Sequence, residues 1–338
     1  MKIQNCNINS KRKNSLKEEK KIKIIVVTGP TATGKTRLAV QLAIRFNGEI
    51  ISADSRQVYR GLDIGSGKDR HEYGGIPCHL MDIVEPSGEY NLMRFRNDVP
   101  GIIMDIAGRK KIPFIAGGSA LYIDSILSEY SLPGSAPDQE LREKMMKMAP
   151  DEILEALEKK LDHMPNALND RNNRNRLVRA LEIAGSGVLS ANPMPFDAEY
   201  LVIGVYFERK QVHQRIEARL DHRLKNGMVE QVEHLHSQGV SWERLEFFGL
   251  EYRYLAFYLQ GKMSFPEMRQ KLLEKIRQFA KRQDIWFRKM EREGHVIQWV
   301  RDGSFEKASQ LVELFLSGKR LPPSELNISE IYYGKKTS

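Results

Sequence analysis

A chain of 338 residues, 41% apolar and 29% charged, is long enough for one large domain or a core with a smaller companion, and no run approaches the roughly 18 apolar residues of a membrane-spanning helix. Two cysteines, Cys6 and Cys78, exclude a disulfide framework and a cysteine zinc site. The net charge of +9 is weak support for a nucleic-acid partner, because residues 1–23, with eight Lys/Arg against two Glu, carry six of those nine charges.

Residues 1–20 are polar and lack apolar periodicity, so a disordered basic tail is expected; without the apolar stretch of a signal peptide, a cytoplasmic location is expected too. Structure opens at "KIKIIVVTG", an apolar run of the kind buried on both faces of a parallel sheet. Leu38, Leu42, Ala43 and Phe46 then recur at helical spacing. Further strands are predicted at "GEIISADS", "KIPFIAGG", "EYLVIGVYFE" and "GHVIQWV", separated by helix-length segments, which argues for an α/β fold with a parallel sheet. Residues 131–199 show helical periodicity, Pro/Gly punctuation and no convincing strand, and are expected to form a helical insertion within a core of residues 21–130 and 200–318. Helices are predicted again over 210–292, and residues 319–338 are expected to be a loose tail.

The first strand runs into "GPTATGKT", a G-x-x-x-x-G-K-[ST] loop with Gly29, Gly34, Lys35 and Thr36 at its fixed positions and Pro30, Thr31, Ala32 and Thr33 between. Backbone N–H groups of such a loop curl around phosphate oxygens, the helix N-terminus adds positive potential, Lys35 supplies a charge, and the Thr36 hydroxyl can ligate Mg²⁺. The core is therefore P-loop NTPase-like. Two linked phosphates satisfy this loop equally on a nucleoside triphosphate or on a prenyl diphosphate. Asp54, just after the second strand, should stand at the carboxyl edge of the sheet, where open α/β sheets bind ligands. It could cap a helix, hold Mg²⁺, or act as a general base.

"GPTATGKT", "ISADSRQVYRGLDIGSGK", "HLMDIVEP", "AGGSALY", "RLVRALE", "QRIEARLDHRLKNG" and "AKRQDIWFRK", in this order and spacing, resemble the tRNA dimethylallyltransferases over residues 22–300. The resemblance implies Mg²⁺-dependent transfer of a five-carbon group from dimethylallyl diphosphate to N6 of the adenosine 3′ of a tRNA anticodon, with the phosphate loop holding the leaving group. It makes Asp54 the base and places Ser55 and Gln57 where they would seat a flipped adenosine. Ser119 stands where threonine is usual and keeps a hydroxyl near the reacting centre. Arg215 and Arg219, four apart on one helix face, match a pair that reaches the diphosphate; with Glu217 and Asp221 beside them, a solvated surface is the plain alternative. Arg142, Asn175, Arg176 and Arg179 fall on tRNA-contact segments, although the family's D-P-Q reads Asn173-Arg174-Asn175 here. "GLEY" at 249–252 replaces a common "GYKE".

Late in the chain, Phe279, Gln283, Trp286 and Met290 are expected to face inward, with Arg277, Lys281, Arg288 and Arg292 opposite them; Lys281 and Arg288 are candidate tRNA contacts. The eight histidines show no spacing that demands a metal, and His79 reads as structural. A monomer is expected. Two rivals remain at this stage: an enzyme of the same fold acting on a free nucleotide, either a kinase or an adenylate isopentenyltransferase, and an RNA-binding module without catalysis.

Overall fold

The computed structural model describes residues 21–128, 131–133, 139–145, 147–160, 174–186, 189–191 and 194–331. The basic tail of residues 1–20 and the terminal "GKKTS" lie outside the described residues. In chain order the core begins β1 (Ile22–Thr28), α1 (Lys35–Arg45), β2 (Gly48–Ser52), β3 (Cys78–His79), α2 (Leu92–Gly108), β4 (Ile112–Gly117) and α3 (Ala120–Leu127). The inserted segment carries β5 (Ser131–Pro133), α4 (Gln139–Met145), α5 (Pro150–Glu158), α6 (Arg174–Ser186) and β6 (Leu189–Ala191). The core resumes with β7 (Ala198–Tyr206), α7 (Arg209–Lys225), α8 (Met228–Ser237), α9 (Trp242–Phe247), α10 (Leu250–Leu259), α11 (Phe265–Arg292), β8 (Ile297–Arg301) and α12 (Phe305–Leu316).

Six strands form one sheet in the order β3-β2-β4-β1-β7-β8, and every neighbouring pair is parallel. The alternation of side chains along each strand divides the apolar residues between two layers. On β1, Ile24 and Val26 join the cluster formed with α2, α3 and α7–α11, while Ile25 and Val27 join the one formed with α1 and α12. All four are fully buried, which explains why the strand reads as a continuous apolar run rather than an alternating one. Because the chain passes from β1 past the position of β4 to β2, and later crosses to β7 on the other side, the connections diverge around β1. The loops leaving the carboxyl ends of β1, β2 and β4 therefore open onto one crevice.

Three features differ from the sequence expectations. The insertion contains a short antiparallel ribbon, β5 with β6, although no strand was expected there; three residues per strand are too few to show a period. It also has a small core of its own, including Ile153, Leu157, Leu177 and Leu181. The segment after α12 is not loose throughout: Ile328 is buried, Ser324 Oγ donates to the Ile297 carbonyl at 2.9 Å, and Glu291 accepts from the Ser329 N–H at 2.7 Å. Finally, α11 buries Gln283 and Met290 as expected, together with Ile276, Ala280 and Phe287, while Trp286 is only partly buried and Phe279 is exposed. Among the described residues no helix is long and apolar enough to cross a membrane.

Candidate active site

The loop between β1 and α1 is built to leave donors unsatisfied. Gly34, at φ 81°, caps α1 without any side-chain acceptor, so the first N–H groups of the helix have no intrahelical partner and face the crevice. Ala32 also takes a positive φ of 65°, a conformation that costs an alanine about 1–2 kcal/mol and that commonly marks a functional loop. The loop is braced from α11 and α7. Gln283 accepts from the Thr31 N–H at 2.8 Å and donates to the Gly118 carbonyl at 2.7 Å. Arg215 donates to the Ala32 carbonyl at 2.7 Å, and Arg219 to Thr31 Oγ1 at 2.5 Å. Thr33 turns its hydroxyl back to the Pro30 carbonyl at 2.9 Å.

The acids beside those arginines do not cancel them. Asp221 and Glu217 lie on another face of α7, where Arg269 and Arg277 of α11 take them up at 2.7 and 2.8 Å. Arg219, and Arg215 although it is exposed, thus reach the phosphate loop. Arg223, one further turn along, joins them; the i, i+4, i+8 spacing was visible in the sequence, though only its first two members were assigned there.

Asp54 is held at the end of β2 by its junction with β4. Gly117 comes so close to Ala53 that a Cβ on it would stand 2.1 Å from the Ala53 carbonyl oxygen, so no other residue fits there without displacing backbone. Ala53 donates to the Ala116 carbonyl at 2.8 Å and accepts from the Ser119 N–H at 3.2 Å, while Ser119 Oγ accepts from the Ser55 N–H at 3.2 Å. Accepting that bond leaves the Ser119 hydroxyl its own proton to donate. Asp54 Oδ1 accepts from the Arg56 N–H at 2.9 Å. Gly117→Ala is expected to cost about 1–3 kcal/mol of stability by overpacking, read as a lowered urea midpoint, and to disturb Asp54 with it.

These groups line one cleft of about 520 Å³, together with Thr36, Gln57, Arg56, Glu251 and the aromatic rings of Phe247, Phe248 and Phe279. Burial, and then the Arg219 charge, lowers the Lys35 ammonium from its ordinary 10.5 to about 8, with Asp54 opposing them. Burial and Arg223 lower Arg219 to about 10. Burial pushes the Glu251 carboxyl up. The cleft is therefore a site where cations are crowded and poorly hydrated, as a polyanion receptor requires.

Other assigned residues are placed differently. Gln57 has both ends of its amide engaged, accepting from Ser52 Oγ at 2.8 Å and donating to the Gly67 carbonyl at 3.0 Å, so it shapes the cleft wall. Arg142 and Arg179 both bind Glu182, at 2.6 and 2.7 Å; the first pair ties α4 to α6, the second lies within α6, and both arginines remain partly exposed. Arg288 turns inward to Asp284 at 2.9 Å and to the Ile331 carbonyl at 2.8 Å, a correction to the basic face expected of it. Lys281 is exposed beside a smaller pocket with Pro30 and Trp299, outside the main cleft. The side chains of Asn175 and Arg176 lie outside the described residues. His79 binds the buried Glu49 at 2.8 Å, the structural role expected.

Known proteins resemble this chain over most of its length. The IPP transferase family matches residues 57–290, and the isopentenyl transferase family matches residues 22–73. The chain is 46% identical over 296 residues to tRNA dimethylallyltransferase 2 of Citrifermentans bemidjiense, covering 88% of this chain and 96% of that one. It is 47% identical to tRNA dimethylallyltransferase 2 of Treponema denticola, over 82% of this chain and 95% of the relative. Among solved structures, a tRNA isopentenylpyrophosphate transferase from Bacillus halodurans shares 31% identity at a TM-score of 0.64, with 88% and 96% of the two chains covered. A eukaryotic dimethylallyltransferase described as acting on tRNA shares 25% identity at a TM-score of 0.74, covering 90% and 82%.

Proposed function

The chain belongs to the IPP transferase family of tRNA dimethylallyltransferases and transfers a dimethylallyl group to tRNA, and we propose that its donor is dimethylallyl diphosphate and its acceptor atom N6 of the adenosine 3′ to the anticodon. The observation that carries this reading is the meeting of two chemistries in one cleft: an uncapped helix end with Lys35, Arg215 and Arg219 for a diphosphate, and Asp54 with Ser119 beside them for a nucleophile.

In the reaction the N6 lone pair forms a bond to the terminal allylic carbon while that carbon's bond to diphosphate breaks. The exocyclic amine is a weak nucleophile because its lone pair is delocalised into the ring, and it must shed a proton as it bonds. Asp54 receives that proton. Negative charge grows on the departing diphosphate, where Lys35, Arg215, Arg219 and the first N–H groups of α1 stabilise it. The crowding among the cations that exists before binding is relieved by the anion, so the favourable interaction is preorganised rather than assembled during the reaction.

Magnesium fits this site only in company with the substrate. Among the described residues no cluster of three acidic, histidine or cysteine side chains would hold a metal alone. Thr36 lines the cleft and would join a shell made largely of diphosphate oxygens and water, the arrangement Mg²⁺ favours. Bound there, the ion would supply further charge stabilisation for the leaving group. The reading also takes the insertion over residues 131–199 as a tRNA contact, and the enzyme as a cytoplasmic monomer.

The decisive experiment incubates the protein with radiolabelled dimethylallyl diphosphate, Mg²⁺ and tRNA, AMP or no acceptor. Label is expected in tRNA alone; label in AMP would overturn the acceptor assignment.

A pH dependence follows from Lys35. Above about 8 the free enzyme holds this amine largely neutral, whereas a bound diphosphate restores its charge. Binding then takes up a proton, and affinity is expected to fall by up to about tenfold per pH unit above that value, with no contribution from this group below it. Calorimetric titration of inorganic diphosphate at pH 7 and pH 9, in buffers of different ionisation heat, measures the uptake.

A further inference from the structure

Phe247 has no part in the reaction as described, yet it ends α9 inside the same cleft with 52% of its surface exposed. Its ring is not loosely attached. The Arg244 guanidinium lies 4.9 Å from the ring centroid and that of Arg56 lies 5.3 Å away. Arg244 is itself fixed, donating to the carbonyls of Pro86 at 2.6 Å and of Gly88, and lying 4.8 Å from the centroid of the buried Phe248 ring. Arg56 leads directly back to the reaction, because its backbone N–H is the one bonded to Asp54. The Phe247 ring is thus held by contacts to two guanidinium groups, one of them on the residue whose backbone N–H is bonded to Asp54.

Unpaired RNA bases are bound by stacking on aromatic rings and on arginine planes, with the arginine charge drawing in adjacent phosphates. We propose that Phe247, supported by Arg244 and Arg56, is a stacking platform for an unpaired anticodon-loop base next to the adenosine that enters the cleft. The proposal rests on tRNA being the acceptor. It makes Phe247 a positioning residue for the RNA, with no contact to the diphosphate.

The test measures steady-state dimethylallyl transfer to a tRNA transcript by the wild type and by Phe247→Ala, Phe247→Leu and Phe247→Tyr. The alanine variant is expected to raise KM for tRNA by about tenfold, the scale of one lost base–aromatic stack, with kcat and the KM for the donor changing far less. Tyrosine should restore the wild-type KM, and leucine should not. An unchanged KM in the alanine variant, or full rescue by leucine, would overturn the platform while transfer by the wild type upheld the assigned reaction. A wild type that labels no tRNA would instead overturn that reaction and the platform with it. Phe247→Tyr keeps the comparison decisive if the smaller substitutions impair folding, since a tyrosine KM raised as far as that of alanine also counts against stacking.

Discussion

Asp54→Asn should lower single-turnover prenyl transfer by about 10²-fold or more while leaving tRNA binding intact, the range expected when a general base is lost. Asparagine has the same shape, and its amide oxygen can still accept from the Arg56 N–H, so the turn after β2 is retained. The bonds that fix that turn, from Ala53 to β4 and from Ser55 to Ser119, involve no atom of the substituted side chain. What is lost is the capacity to take the amine proton. Filter binding of labelled tRNA alongside the rate measurement separates the two effects, and a variant that transfers at the wild-type rate removes Asp54 from this role.

Lys35→Met is expected to reduce transfer by about 10²–10³-fold, as when one preorganised donor to a developing anion is deleted, and to abolish most diphosphate binding with tRNA affinity little changed. Stability should move the opposite way. In the fold the amine titrates at about 8 instead of 10.5, so the unfolded chain binds the proton more tightly, and the folded state is penalised at every pH below about 8. The penalty fades as pH rises from about 8 to 10.5. A methionine there removes it, so the variant should unfold at a higher temperature than the wild type at pH 7, and the gain should vanish near pH 10.5. Loss of function with a gain in stability would mark the lysine as retained for charge, at a cost to the fold. Equal loss of diphosphate and tRNA binding would point to misfolding instead.

Much of the catalytic core was legible because its signals are local. The β1 run, the loop that follows it and the periodic apolar face of α1 are contiguous, and the position of Asp54 follows from where β2 ends. Signals that depend on a distant partner were not legible. Arg179 pairs with Glu182 three residues on, but the same carboxylate is reached by Arg142 from 40 residues away. Arg288 looked like part of a basic face until the carbonyl of Ile331, 43 residues later, drew it inward. On α11, Ala280 is the true inward residue and carries almost no hydrophobic signal, so the larger Phe279 beside it was assigned in its place. Gln283 was placed on the buried side correctly, but only the fold shows why a polar residue sits there: it bridges the loops after β1 and β4.

The anchorage of β1 bears on the charged segment at the start of the chain. Lys23 donates to the Phe315 and Leu316 carbonyls at the end of α12, so the strand enters the sheet at the edge opposite the phosphate loop. A strand of seven residues spans about 20 Å, roughly twice the distance over which charges are screened at physiological ionic strength. The global figure of +9 and the potential in the cleft are thus separate quantities: charge at the root of the tail is largely screened from the phosphate loop, which sits at the far end of one strand beside its own cluster of cations.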